Sequence, residues 1–206
     1  MMFKIIADQI EASGFSVCPD FLTAEELSEV CLDLDAQREA GRFHFAGVGH
    51  GVAHMVDQEI RRDEICWLDR VIANKVQLAF WKSTDLLKDV CNGSPLYLGL
   101  DEFDAHYAIF PKGGFYKRHK DTSRNNKERV VTFILYLNRK WKIEDGGSLR
   151  IFVDPLNPDS YIQVDPIGGT MVCFLSDEFE HEVCTSYADR FSISGWFKAS
   201  TKSKSW

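Results

Sequence analysis

The segment "VVTFILYLNRKWKIEDGGSLRIFV", Val130 to Val153, decides how the chain is read. Its two ends, Val130–Asn138 and Ser148–Val153, are rich in β-branched and aromatic residues, and the stretch between them ends in "EDGG". That is the pattern of two strands joined through a turn. The same texture recurs on both sides, in "HYAIF" (106–110), "YIQV" (161–164), "TMVCFLS" (170–176), "HEVCTS" (181–186) and "RFSISGWFK" (190–198). "PKGG" (111–114), "DPLNPDS" (154–160) and "DPIGG" (165–169) punctuate them. Seven such runs close together predict an antiparallel β-sandwich or jelly roll.

The first hundred residues read differently. "TAEELSEVCLDLDAQREAG" opens on Thr23 with Glu26 three residues on, a capping box, and Leu27, Val30, Cys31 and Leu34 follow at helical spacing to Gly41. A second helix is expected from about Trp67 to Val90, stopped by "CNG". The glycine- and histidine-rich stretch between them, 41–63, reads as loop. The expectation is a mainly β fold with supporting helices (α+β): a double-stranded β-helix with N-terminal helices packed on one sheet. It forms a single domain over 1–206, with 1–100 mostly helical support and 101–198 the jelly-roll core.

Bulk properties exclude several classes. A net charge of −7 disfavours general binding to nucleic acid or anionic membranes. No apolar run approaches a membrane span, and charges come too early for a secretory signal. Six scattered cysteines without a CxxC pair suit buried thiols of a reducing compartment, so a cytoplasmic location is expected.

The chemistry starts in "FYKRHKDTSRNN", Phe115 to Asn126. His119 and Asp121 are two apart, so an extended backbone points both to one face. Alone, such a pair reads as a surface pair and not a metal site. One more histidine would complete two histidines and a carboxylate, the ligand set that leaves positions open on non-haem Fe(II). His181, at the start of "HEVCTS", is the candidate, and Arg190 follows nine residues later. The intervening "TSYAD" reads as a turn, which would put His181 and Arg190 on adjacent antiparallel strands.

His-x-Asp, a long gap, then His with Arg nine or ten residues on resembles the 2-oxoglutarate- and Fe(II)-dependent dioxygenases. "GGFYKRHKD", "VTFILYLNRKW", "DGGSLRIF", "GGTMVCFLSDEFEHEV" and "RFSISGWF" resemble the prolyl 4-hydroxylase branch, most of all the oxygen-sensing prolyl hydroxylases and their bacterial relatives. "DFLTAEEL", "GRFHFAGVG" and "EIRRDEICWLD" are similar to the helical lead-in of that group, so the resemblance covers nearly the whole chain. It implies that His119, Asp121 and His181 are catalytic metal ligands. It implies that Arg190 and Tyr136 hold the far carboxylate of 2-oxoglutarate, with Ser194 nearby and Trp196 walling the metal site. The implied cofactors are Fe(II), 2-oxoglutarate and O2, with ascorbate a further candidate. The implied reaction is hydroxylation of a prolyl residue in a protein or peptide, releasing succinate and CO2. The Asp121 carboxylate, absent from halogenating relatives, favours hydroxylation. Two alternatives stay open: the same chemistry on a free amino acid or other small molecule, and a non-catalytic metal-containing jelly-roll module.

One position departs from the family pattern. Relatives usually carry a tyrosine just before the P-x-G-G turn, and here Phe110 stands there. Tyr107 is an odd number of residues away and should face the other side of its strand. His44, His50, His54 and His106 have no zinc-ligand spacing and read as loop or pocket-lining residues. Between Lys112 and Arg129 seven basic residues stand against two acidic ones, leaving 17 basic and 29 acidic elsewhere. That local positive field could draw in a dianionic cosubstrate or be a solvated loop. The loops expected to grip a substrate are Gly41–Asp63 and Asp121–Glu128.

Overall fold

Alternating inward and outward side chains organise the second half of the chain into two facing antiparallel sheets. The computed structural model describes residues 1–47, 55–122 and 128–200. His50, His54 and the middle of both expected substrate loops lie outside the described residues. The strands are β1 (Phe15–Cys18), β2 (His44–Phe45), β3 (Glu64–Trp67), β4 (Glu102–Phe110), β5 (Tyr116–His119), β6 (Arg129–Tyr136), β7 (Leu149–Phe152), β8 (Tyr161–Val164), β9 (Met171–Leu175), β10 (Glu180–Val183) and β11 (Arg190–Lys198). The major sheet runs β1-β9-β6-β11-β4-β3-β2 and the minor sheet β5-β10-β7-β8. All seven expected runs are strands, and the architecture is the mainly β fold with helical support read from the sequence.

Three helices cover the outer face of the major sheet: α1 (Met2–Ser13), α2 (Ala24–Glu39) and α3 (Lys75–Asn92). Thr23 and Glu26 form the expected reciprocal capping box on α2. Ile6 and Ile10 of α1, Val30 and Leu34 of α2, and Phe80 and Leu87 of α3 bury against Tyr107, Ile109, Phe133, Leu135 and Phe197 of the sheet. Each large apolar side chain so buried stabilises the fold by about 1.5–3 kcal/mol.

Three expectations are corrected. The second helix starts at Lys75 and not near Trp67, because the Asn74 side chain accepts the Gln77 N–H at 3.0 Å while Trp67 belongs to β3, opposite His106. Val71 and Ile72 therefore lie in an exposed connection. The first hundred residues also contribute β1, β2 and β3, two of them within or beside the stretch read as loop. Finally, His181 and Arg190 are not on adjacent strands: β10 pairs with β5 and β7, whereas β11 pairs with β4 and β6. The segment between them crosses from sheet to sheet. Its backbone bonds the 113–114 and 145–148 turns instead of closing a hairpin, as in Gly113 N–H to the Ser186 carbonyl at 2.7 Å and Tyr187 N–H to that of Asp145 at 2.7 Å.

A buried carboxylate ties helices to sheet. Asp33 of α2 accepts from Tyr107 Oη (2.6 Å), Asn74 Nδ2 (2.6 Å), Gln77 Nε2 (2.8 Å) and Gln37 Nε2 (3.0 Å). Tyr107 thus faces away from the sheet interface, as its parity predicts. Burial alone would raise the Asp33 pKa, but these four donors hold it below the usual carboxylate value. Asp33→Ala is expected to cost about 3 kcal/mol of unfolding free energy, because it leaves the buried Tyr107 hydroxyl and Gln77 amide without their acceptor. A folded-state pKa below the unfolded one makes this contribution complete above the ordinary carboxylate pKa and lost as pH falls through the folded value. Urea unfolding of wild type and variant at neutral and acid pH checks it; equal stability at neutral pH would refute the role.

Candidate active site

Between the sheets lies a cavity of about 500 Å³. Arg190, Ser194 and Trp196 of β11 line it on the even-numbered face of the strand, and direct pairing extends each row across the sheet. Phe110 stands beside Arg190, Tyr136 beside Ser192, His106 beside Ser194, and Thr132 beside Trp196.

The facing wall comes from the minor sheet. His119 ends β5 and pairs directly with His181 of β10. Asp121 follows two residues on, and one ligand atom from each of the three lies within 4.8 Å of the others. Nε2 of His119 is 3.7 Å from Asp121 Oδ1, and Nε2 of His181 is 3.6 Å from Oδ2. His119 Nδ1 is 2.8 Å from the Lys117 carbonyl, which can only accept. Nδ1 therefore donates, and Nε2 is the ring atom turned to the cluster. Burial pushes the His181 imidazole down to about 4, so it is neutral. Burial alone would raise Asp121, but His181, His119 and the Thr132 hydroxyl hold it far below the usual carboxylate range. Two imidazoles and one ionised carboxylate converge there, with the Arg129 guanidinium 3.9 Å from Asp121 Oδ1, and this ligand set fits a divalent metal of the non-haem iron type.

Arg190 sits on the opposite wall, 1% exposed. Its Nε donates to the Gly147 carbonyl at 2.9 Å, while one terminal nitrogen has no partner and no carboxylate lies within ion-pair distance among the described residues. Gly147 holds φ at +65°, which only glycine adopts freely, and a Cβ there would meet Arg190 Cδ at 3.1 Å. The guanidinium carbon is 5.0 Å from the Tyr136 ring centroid and 5.1 Å from that of Phe110. The Tyr136 hydroxyl is buried without a partner, and burial pushes its pKa up to about 12. A buried cation beside an unused hydroxyl is a seat for an anion.

The model of the "2OG-Fe(II) oxygenase superfamily" matches residues 105–198, the stretch that carries all of these groups. A crystal structure of a Pseudomonas putida prolyl-4-hydroxylase is similar over 97% of this chain and 100% of that one, at 32% identity and a TM-score of 0.85. The chain belongs to the 2OG-Fe(II) oxygenase superfamily. Human Egl nine homolog 1 is 31% identical to this oxygenase over 208 residues, 96% of the chain but 46% of that protein, so the chain spans about half the length of the curated relatives it matches. A Trichoplax adhaerens prolyl hydroxylase, solved with a hypoxia inducible factor oxygen degradation domain peptide fragment, superposes with a TM-score of 0.83 at 27% identity over 96% of the chain.

The structure brings six of the seven sequence-predicted site residues to the cavity lining: His119, Asp121, His181, Arg190, Ser194 and Trp196; Tyr136 lies directly behind it, against Arg190. Three further residues of the oxygenase had no sequence signal of their own. Thr132 donates to Asp121 Oδ2 at 2.6 Å and is itself tied to Ser176 at 2.9 Å, which fixes the carboxylate. Tyr116 stacks on the His119 ring at 3.6 Å. Arg61 bonds Asp63 in a buried ion pair and lies over Tyr116 at 4.4 Å, closing the wall behind His119. Register could have found Thr132, which lies four residues before Tyr136 on the same face of β6.

Proposed function

We propose that this chain hydroxylates a prolyl residue of a protein or peptide, with 2-oxoglutarate and O2 as cosubstrates and succinate and CO2 as products. The observation that carries the reading is Arg190, a buried guanidinium with no carboxylate partner among the described residues, in the same cavity as the His119–Asp121–His181 cluster. With a divalent metal on the cluster both groups are cationic, and a dianion that meets both answers the charge of each. The prolyl preference is supported by the prolyl hydroxylases to which the chain is similar. Ascorbate as an accessory reductant and a cytoplasmic location belong to the same proposal; among the described residues no helix is long and apolar enough to cross a membrane.

In this reading His119, Asp121 and His181 hold the metal, and Thr132 keeps Asp121 in register. Bound Fe(II) supplies the redox chemistry that uses O2 to oxidise a C–H bond. Arg190 takes the distal carboxylate through its planar fork, and the Tyr136 hydroxyl donates to the same group. Ser194 and Trp196 shape the cavity beside the metal and exclude water.

Tyr136→Phe is expected to raise the Michaelis constant for 2-oxoglutarate by roughly tenfold or more, the loss of one hydrogen bond to a charged group. Metal affinity should be unchanged, and an unaltered Michaelis constant would remove Tyr136 from the role. The function itself is tested by mass spectrometry of host proteins before and after treatment with the Fe(II)- and 2-oxoglutarate-supplied chain. A gain of one oxygen on proline is expected. Succinate formation without any proline oxidation would move the reaction to another substrate.

A further inference from the structure

Strict alternation along β6 would turn Arg129 away from the cavity. Thr132 lines the cavity, so Val130 should follow it inward and Arg129 should face the helices. The reverse is found: Val130 packs against the helix-side core and Arg129 lines the cavity. The cause is a break in register. Phe197 of β11 pairs with Val131, but Lys198 pairs with Arg129, so Val130 is an extra residue on β6. A bulge of this kind re-aims a side chain. The guanidinium lands 3.5 Å from the centre of the Trp196 ring. Its Nη1 donates to the Asp121 carbonyl at 3.4 Å and stands 3.9 Å from Asp121 Oδ1. Among the described residues, Asp121 is the carboxylate within ion-pair distance of Arg129, whereas Arg61 is held by Asp63.

We propose that Arg129 is a fixed cation that holds the metal affinity of the His119–Asp121–His181 cluster below what its ligands alone would give. The inference rests on the metal reading of that cluster and adds to it a residue that sets how tightly the metal is kept.

Two neighbours act on Asp121, and distance gives them opposite signs. Thr132 bonds Oδ2 at 2.6 Å and fixes the carboxylate, and a partner that orients a ligand raises metal affinity. At 3.9 Å from Oδ1, Arg129 is too far to orient the carboxylate by a hydrogen bond. What remains is Coulombic. The guanidinium draws on the same negative charge that a dication needs, and it repels the dication itself. Asp121 is the single charged ligand of the set, so that charge has no substitute. The Arg129 side chain is 18% exposed, and water screens it little. It is also held in place by the bulge, by the Trp196 face and by the Asp121 carbonyl, so it does not simply swing aside. A centre weakened in this way fills and empties with the supply of metal. By linkage, an anion that answers the Arg129 charge tightens the metal, and the metal tightens that anion.

The test titrates Mn(II) calorimetrically into the metal-free full chain, as wild type, Arg129→Met, Arg129→Gln, Arg129→Lys and Thr132→Val. Arg129→Met keeps an apolar stem over Trp196 and Arg129→Gln keeps a polar one; both lose the charge. Each should bind Mn(II) roughly tenfold or more tightly than wild type, the scale of one unit charge beside a mostly buried site. Arg129→Lys keeps the charge and should stay within about threefold of wild type. Thr132→Val should weaken binding by roughly ten- to a hundredfold. The sign is the discriminating readout, because a residue that merely supported the cavity would loosen the metal when replaced. The electron paramagnetic resonance line shape of bound Mn(II) should be common to wild type and the Arg129 variants, reporting an unchanged ligand set. The proposal falls if Arg129→Met and Arg129→Gln bind Mn(II) no more tightly than wild type, if Arg129→Lys binds as tightly as they do, or if Thr132→Val tightens binding as well. Should Arg129→Met fail to fold, Arg129→Gln decides. Failure of the metal reading is seen separately, as a wild type that does not bind Mn(II) or a His119→Ala variant that binds it equally well, and it takes this proposal with it.

Discussion

Alanine at His119 or at Asp121 is expected to abolish metal binding while the fold persists. Losing only the hydrogen-bond partner of a ligand costs roughly 10–100-fold in metal affinity, so losing a ligand from a set of three costs more. The fold should survive because neither side chain belongs to the apolar clusters. His119 ends an edge strand, and Thr132 keeps its second partner, Ser176, when Asp121 is gone. Calorimetric titration with Mn(II), or with Fe(II) under argon, measures the first effect, and thermal unfolding of the metal-free variants measures the second. Unchanged metal affinity in both variants would overturn the metal assignment. A collapse of the fold in both would make these residues structural.

Arg190→Lys keeps the charge and loses the planar fork. One nitrogen then has to serve both the Gly147 carbonyl, now held by Nε, and the bound anion. Two charge-assisted hydrogen bonds at about 1.5–3 kcal/mol each set the scale, so a rise on the order of a hundredfold or more in the Michaelis constant for 2-oxoglutarate is expected. Metal affinity should hardly move, because Arg190 is on the opposite wall from the cluster and bonds none of its members. That split between anion and metal is the informative part. Wild-type behaviour in Arg190→Lys would place the carboxylate elsewhere, and parallel loss of metal and anion binding would show that the guanidinium supports the cavity as a whole.

The strands were legible because period-two alternation and turn residues are local signals, and the capping box at Thr23 is local too. The minor errors have a common cause. Val71 and Ile72 fit a helical spacing by chance, and only the tertiary pairing of Trp67 with His106 shows that the chain is still strand and connection there. Two-residue β2 and four-residue β3 are held by their neighbours and carry no pattern of their own. The ligand residues could be picked out because their spacing repeats a known pattern, yet their spatial relation was misjudged. A nine-residue separation suggests a hairpin, and nothing local in "TSYAD" shows that its hydrogen bonds go to distant turns. Thr132 and Tyr116 stayed hidden because their roles come from what lies across the sheet or across the cavity, whereas His106, read as loop or pocket-lining, does line the cavity.

That crossing has a mechanical consequence. The proposed metal cluster rides on one sheet and the proposed anion seat on the other, so the molecule is arranged like a calliper with one group on each jaw. The gap is set by spacers that do no chemistry: Leu149, Ile151 and Val164 from one jaw meet Val172 and Phe174 from the other. A trimmed spacer such as Ile151→Val costs only about 0.5–1.5 kcal/mol of stability. It leaves the proposed ligands and anchors unchanged and is expected to shift one jaw against the other. Under the proposed function, the position of the carbon presented for oxidation is expected to depend on the girth of the hydrocarbon between the jaws, so that product regiochemistry shifts on substitution of residues that never touch a reactant.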